Sequence, residues 1–308
     1  MRKAVRRAAW GLGAVAAAGI AYGAGIEVND FQVRRVRLPL LPPGSPDIRV
    51  LHLSDSHLLP RQKQKRDFLR GLNGLEPDLV VSTGDLVSSE DAIDVLAESL
   101  GPLLDVPGVF VFGSNDYHAP RFEIPVRYLW RTTSGRTEHA HQEMPTDRLR
   151  SVLEAGAWRD VTDRRITLEL SGVSFEVRGT GDAHQGRDDY PSVAGPPAPG
   201  TVSIGVTHAP YLRLLDAMTR DGLDLILAGH THGGQVCVPV YGALTTNSDL
   251  PTSHAKGVFS YDSGGQTSQV SVSGGVGTSP FAPYRFACRP EVTLLTLVDK
   301  SLPDETEM

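Results

Sequence analysis

Short apolar runs bounded by turn residues recur along this chain. They cover residues 48–54, 79–83, 109–112, 202–207 and 223–228, with a later pair at 269–273 and 292–298. Runs of this length, rich in Val, Ile and Leu, predict buried strands. Between the first of them, residues 63–75 and 92–103 read as helices. Strands alternating with helices predict an α/β fold, and the more β-like C-terminal half predicts a second sheet. Residues 118–147 break the rhythm and read as an insertion or lid. Residues 186–200, with four prolines, read as a surface loop. The main domain is expected over 48–300, with an acidic tail at 301–308.

The chain opens differently. Arg2, Lys3, Arg6 and Arg7 precede an uncharged stretch from Ala8 to Ile26, weakly apolar because Ala and Gly dominate it. A basic start followed by such a run predicts a signal or membrane anchor over residues 1–30. An uncleaved anchor is favoured over a cleaved secretory signal, since no clean small-residue cleavage site follows. The basic start favours placing the globular part outside the cytoplasm. Arg34, Arg35 and Arg37 lie just beyond the run and blunt that asymmetry. Residues 31–47, with Pro39, Pro42 and Pro43, read as a linker.

Composition narrows the function classes. The 308 residues carry 30 Lys+Arg against 36 Asp+Glu, a net charge of −6, which argues against a nucleic-acid binder. Two cysteines, Cys237 and Cys288, exclude a disulfide scaffold and a four-cysteine metal site. They read as buried small hydrophobes.

The chemistry lies where the polar residues fall. Five apolar runs end in Asp55-Ser56-His57, Gly84-Asp85, Gly113-Ser114-Asn115-Asp116, His208, and Gly229-His230-Thr231-His232-Gly233-Gly234. Ligands of open α/β sheets bind beyond the carboxyl ends of the strands, so these side chains are expected on one rim. Imidazole and carboxylate suit first-row metals such as Mn, Fe or Zn. Asp55/His57 and His230/His232 are each spaced i, i+2, which in extended backbone points both members one way. A lone carboxylate such as Asp85 suits a bridge between two ions, and two ions can activate water and clamp a phosphoryl group. Singly, Asp55 or Asp85 could cap a helix and His208 could be a core histidine; as a set ending five runs they read as ligands.

At these residues the chain resembles the calcineurin-like metallophosphoesterase superfamily, over residues 49–298. The stretches at 229–235, 275–279 and 285–291 are similar to the bacterial YkuE/YaeI-like subgroup of membrane-associated phosphoesterases. The resemblance implies a four-layer β-sandwich of two mixed sheets flanked by helices. It implies one ion on Asp55, His57 and His232, a bridging Asp85, and a second ion on Asn115, His208 and His230. It also implies hydrolysis of phosphate mono- or diesters.

One part departs from the family pattern, which reads Gly-Asn-His followed by Asp or Glu. Here an ungapped alignment puts Ser114 in the ligand place; one extra residue keeps Asn115 as ligand and puts Asp116 in the His place. A serine hydroxyl is a poor ligand beside His and carboxylate, which favours the second reading. The usual His is absent either way. Asp116 and His118 are then the catalytic candidates, with His184 beside them. A non-catalytic metal-binding scaffold on the same fold is the alternative function. The N-terminal segment suggests an envelope substrate, such as a lipid head group or wall precursor. No protein partner is expected. Arg121, Arg127, Arg131 and Arg136 read as a solvated face or an anion-holding one, and His139 and His141 as solvated.

Overall fold

The computed structural model describes residues 17–122 and 142–301. Two six-stranded mixed sheets face each other. The first contains β1 (Gln32–Leu41), β2 (Ile48–Leu53), β3 (Leu79–Ser82), β4 (Gly108–Phe110), β5 (Trp158–Asp160) and β14 (Glu291–Asp299), in the order β1-β14-β2-β3-β4-β5. The second contains β6 (Arg165–Leu170), β7 (Val173–Gly179), β8 (Val202–Thr207), β9 (Leu225–Ala228), β12 (Gly257–Ser263) and β13 (Gln266–Val272), in the order β12-β13-β9-β8-β7-β6. A two-stranded hairpin, β10 (Cys237–Val238) with β11 (Gly242–Ala243), stands apart from both.

The layering follows from the apolar runs. Along β2, Ile48 and Val50 face the second sheet, while Leu51 and Leu53 face helices. Strands buried on both faces read as continuous apolar runs, which is why these stood out in the chain. Val81, Val109, Val177, Ile204 and Leu227 fill the space between the sheets. Helices α2 (Lys63–Gly71), α3 (Ala92–Leu100) and α5 (Thr146–Glu154) cover the outer face of the first sheet. Helix α6 (Leu212–Arg220) covers the second, burying Leu214, Leu215 and Met218. Residues 17–25 form α1, and α4 (Ser114–Tyr117) is a single turn after β4. The result is helix, sheet, sheet, helix.

Parallel pairing of β2, β3 and β4 sets Leu53, Ser82 and Phe110 level with one another at their carboxyl ends. In the second sheet Thr207 is level with Ala228. All five segments that carry the ligand candidates leave their strands at this shared edge.

Residues 31–47 are not a linker. They supply β1, which runs parallel to β14 from Gln32↔Glu291 to Leu41↔Asp299. Its exposed arginines and Pro39 hid it. An edge strand with one half-solvated face needs neither a continuous apolar run nor every N–H, so proline is tolerated there. Most of the expected lid, residues 123–141 with Arg127, Arg131, Arg136, His139 and His141, lies outside the described residues, as do residues 1–16 and the tail at 302–308. Among the described residues, no helix is long and apolar enough to cross a membrane.

Candidate metal centre

The loops after β2 and β3 are knitted together beyond the sheet: Asp55 N–H donates to Gly84 O and His57 N–H to Asp85 O, each at 2.9 Å. The two sheets meet where His230 N–H donates to Asp55 Oδ2 at 3.0 Å. Gly229 makes this approach feasible, because a Cβ there would collide with Ser54 Oγ and lie 2.6 Å from Asp55 Oδ2.

The backbone at the ligand candidates is not extended. Asp55, His57, Asp85, His230 and His232 all have left-handed φ, between 41° and 69°. Non-glycine residues seldom adopt this region, and such outliers cluster at functional sites. The i, i+2 pairs therefore converge through tight left-handed turns.

The side chains gather into two overlapping groups. Oxygen and nitrogen atoms of Asp55, His57 and His232 lie within 4.8 Å of one another, as do those of Asp55, Asp85 and His208. His57 Nε2 is 3.3 Å from His232 Nε2 and 3.4 Å from Asp85 Oδ2. His230 Nδ1 is 3.3 Å from His208 Nε2, and the Asn115 side-chain amide is 2.7 Å from Asp85 Oδ2. All seven expected ligands thus meet at one edge of the sandwich, and Asp55 reaches both groups.

The donor set fits divalent ions. Asp55 Oδ1 is buried with no hydrogen-bond partner, a costly state for a carboxylate oxygen unless a cation neutralises it. Three imidazoles are oriented by main-chain oxygens: His208 Nδ1 by Thr83 at 2.7 Å, His232 Nδ1 by Gly277 at 3.1 Å, and His230 Nε2 by Asn247 at 3.1 Å. A ring nitrogen that donates to a carbonyl leaves the other with its lone pair for a metal.

Electrostatics agree. Burial and the cations nearby push His57 and His230 well below the ordinary imidazole range, and burial brings His232 down to about 3, so all three are neutral. Burial raises the Asp55 and Asp85 carboxyls, with the charge on His208 working against the shift. Burial also works against the His208 imidazolium, yet the carboxylates of Asp85, Asp182 and Asp55 outweigh it and raise its pKa to about 9.

Other residues have defined places. Asp116 is fully buried, and its carboxylate accepts from the backbone N–H groups of Gly113, Asp85 and Leu86 at 3.0, 2.7 and 2.8 Å. It locks the β3 and β4 loops together. His118 Nε2 lies 3.3 Å from an Arg187 nitrogen. The His184 ring sits 4.5 Å from that of His230, with Nδ1 3.0 Å from the Tyr211 hydroxyl. Ser114 Oγ turns to Asp182 rather than toward Asp85. His52 supports the site from behind: its Nε2 lies 3.1 Å from Thr83 Oγ1, which donates at 2.7 Å to Ser54 Oγ, and that hydroxyl donates to Asp55 Oδ2.

Two features were invisible in the ligand spacing. Arg285 is fully buried and holds the carbonyls of His232, Gly274, Gly275 and Gly277 at 3.2, 2.7, 3.0 and 2.7 Å. Cys237 and Cys288, free and buried as expected, both donate to Gly233 O at 3.3 Å. The subgroup-like stretch at 285–291 begins with this arginine, set between Tyr284 and Phe286, but nothing in it pointed to main-chain partners.

Comparison with known proteins bears on the same region. Residues 48–234 match the model of the calcineurin-like phosphoesterase family. The chain is 26% identical over 269 residues to the "Uncharacterized metallophosphoesterase YkuE" of Bacillus subtilis (strain 168), covering 85% of this chain and 83% of the relative. It is 26% identical over 274 residues to "Phosphodiesterase YaeI" of Escherichia coli (strain K12), covering 87% and 88%. It is 30% identical over 211 residues to the "Transmembrane protein with metallophosphoesterase domain" of Bos taurus, covering 66% of this chain and 45% of that one.

Proposed function

The chain belongs to the calcineurin-like phosphoesterase family, a hydrolase family acting on phosphoric esters, and on that premise we propose that it holds two divalent ions and cleaves a phosphate mono- or diester. The observation that carries this reading is the convergence of Asp55, His57, Asp85, Asn115, His208, His230 and His232, with Asp55 Oδ1 buried and unpartnered. Asp55, His57 and His232 would hold one ion, Asn115, His208 and His230 the other, and Asp85 would be shared between them. Mn, Fe and Zn all suit this donor set. Such ions supply Lewis acidity toward a phosphoryl oxygen and lower the pKa of water toward neutrality.

The chain's own residues do the rest. Hydrogen bonds to main-chain oxygens fix His208, His230 and His232, so little reorganisation is needed during reaction. Protonation of the leaving group falls to His184, which stands beside His230 and is partly exposed. Asp116 suits that role less, because its carboxylate is occupied by three backbone amides. The N-terminal segment attaches the protein to a membrane, where an envelope-derived or lipid phosphate ester is the substrate.

The test is hydrolysis of p-nitrophenyl phosphate, bis(p-nitrophenyl) phosphate and p-nitrophenyl phenylphosphonate with added Mn, Fe or Zn. Turnover that falls by at least about 100-fold in Asp85→Asn supports the reading. Metal bound without turnover on any of the three would leave a binding scaffold instead.

A further inference from the structure

We propose that the face beside the metal centre is a bilayer-docking surface formed by α1, the β10–β11 hairpin and the loop around Phe281, so that the site opens at lipid head-group depth. Among the described residues, every exposed large apolar side chain lies in residues 20–26, 238–244, at Phe281 or at Phe122. Ile20, Ile26 and Phe122 are 70%, 62% and 67% exposed, and Tyr241 is 76% exposed. Soluble surfaces scatter such residues singly, and their confinement to one region marks an interaction site.

These segments are joined. The Tyr22 ring meets Phe286 edge-on at 6.4 Å, and Arg285 N–H donates to Gly23 O at 3.1 Å. Phe286 pairs with the hairpin strand through Phe286 N–H to Gln235 O at 3.1 Å and Cys237 N–H to Phe286 O at 2.8 Å. The Gln235 side chain donates to Ala282 O and Tyr284 O at 2.9 and 3.0 Å, and Phe281 packs edge-on to Phe122 at 6.1 Å. The metal-centre turn adjoins them, since the Arg285 guanidinium holds His232 O.

The occupant follows from charge and continuity. In a chain of net charge −6, residues 17–26, 236–244 and 276–286 contain no Asp or Glu. A protein partner is expected to meet a polar, charged rim, whereas an anionic bilayer repels carboxylates. Helix α1 is the downstream part of the uncharged run Ala8 to Ile26, itself preceded by Arg2, Lys3, Arg6 and Arg7. Apolar length followed back to a basic cluster is the pattern that lies on or in a lipid interface. At the hairpin tip, Val240 has φ 71° and is fully exposed. A β-branched residue is strained there.

The test uses the full chain and is independent of turnover. Val240→Cys, and separately Tyr241→Cys, are labelled with an environment-sensitive nitrobenzoxadiazole dye; Glu169→Cys on the exposed side of β6 is the control. With phosphatidylglycerol-containing vesicles, dyes at 240 and 241 are expected to shift to the blue and to be quenched by spin-labelled lipid, while the dye at 169 is not. No shift at either tip position overturns the proposal. So does equal quenching at 169, or a shift that needs no vesicles and grows with protein concentration, which would assign the face to a second copy. Loss of phosphoesterase activity does not affect this readout, so the two readings fail separately.

Discussion

Nη1 of Arg285 donates to the main-chain oxygen of His232 at 3.2 Å, and its other amino group reaches Gly274, Gly275 and Gly277. One buried guanidinium thereby ties the turn carrying a ligand to the loop whose Gly277 carbonyl orients that same imidazole. Arg285→Met is expected to weaken metal binding by about 10–100-fold, the usual cost of losing such support. Arg285→Lys should rescue little, because an ammonium lacks the planar fork. Chelator-competition titration measures both.

Gly113→Ala should damage the centre by crowding. A Cβ at Gly113 would strike Asp85 Oδ1 and lie 2.6 Å from His208 Cε1. Its φ is −100°, so the penalty is steric and not a backbone one. Stability should fall by about 1–3 kcal/mol, and metal affinity should fall with it, read by thermal melting and calorimetric metal titration.

Stability should depend on Lys65. Burial brings its amine from 10.5 down to about 7, with Nζ donating to Ser56 O at 2.7 Å. Between those two pH values the unfolded chain holds a proton that the native chain does not. Native stability therefore rises with pH across that window and is lowest below it, with a slope of up to about 1.4 kcal/mol per pH unit. Urea unfolding of the metal-free protein across the window should show this rise, and Lys65→Met should flatten it.

Glu291→Gln should destabilise the first sheet. The buried Glu291 carboxylate accepts from Arg34 at 3.1 and 3.0 Å, from Lys256 at 3.2 Å and from Gln32 at 2.9 Å. Burial opposes its ionisation, but these donors prevail and hold its pKa low. Losing the charge leaves two cations without their anion, at a cost of about 3 kcal/mol. Denaturant titration measures it, and Arg34→Gln should cost less because that side chain is partly solvated.

The strands that aim the ligand candidates were legible because both their faces are buried, so Leu79 to Val81 and Leu225 to Ala228 show as unbroken apolar runs, and Ile48 to Leu53 and Val202 to Thr207 as mainly apolar ones. The same logic hid the sheet edges. In β1 and β6, half-exposed faces mix arginine, threonine and glutamate with the apolar positions. Helix α5 was not read either: it starts at Thr146, where the segment read as a lid ends, and buries only Leu149 and Leu153. At the site, residue types and order pointed to convergence, but the left-handed turns at Asp55, His57, Asp85, His230 and His232 could not be read from them. These turns depend on loops that bond to one another across the two sheets. Arg285 escaped for a similar reason: its partners are main-chain oxygens, which carry no signature in a sequence.

The parallel pairing of β1 with β14 has a consequence for biosynthesis. Among the described residues, the only neighbour of β1 in its sheet is β14, from Gln32↔Glu291 onward. A contact this distant in sequence closes late and slowly. During translation, the first sheet must wait with β2 as an unclasped edge, and the arginines of β1 stay idle until the final strand leaves the ribosome. Trimming even a few residues from β14 would strip the partner from β1 and from β2 at once.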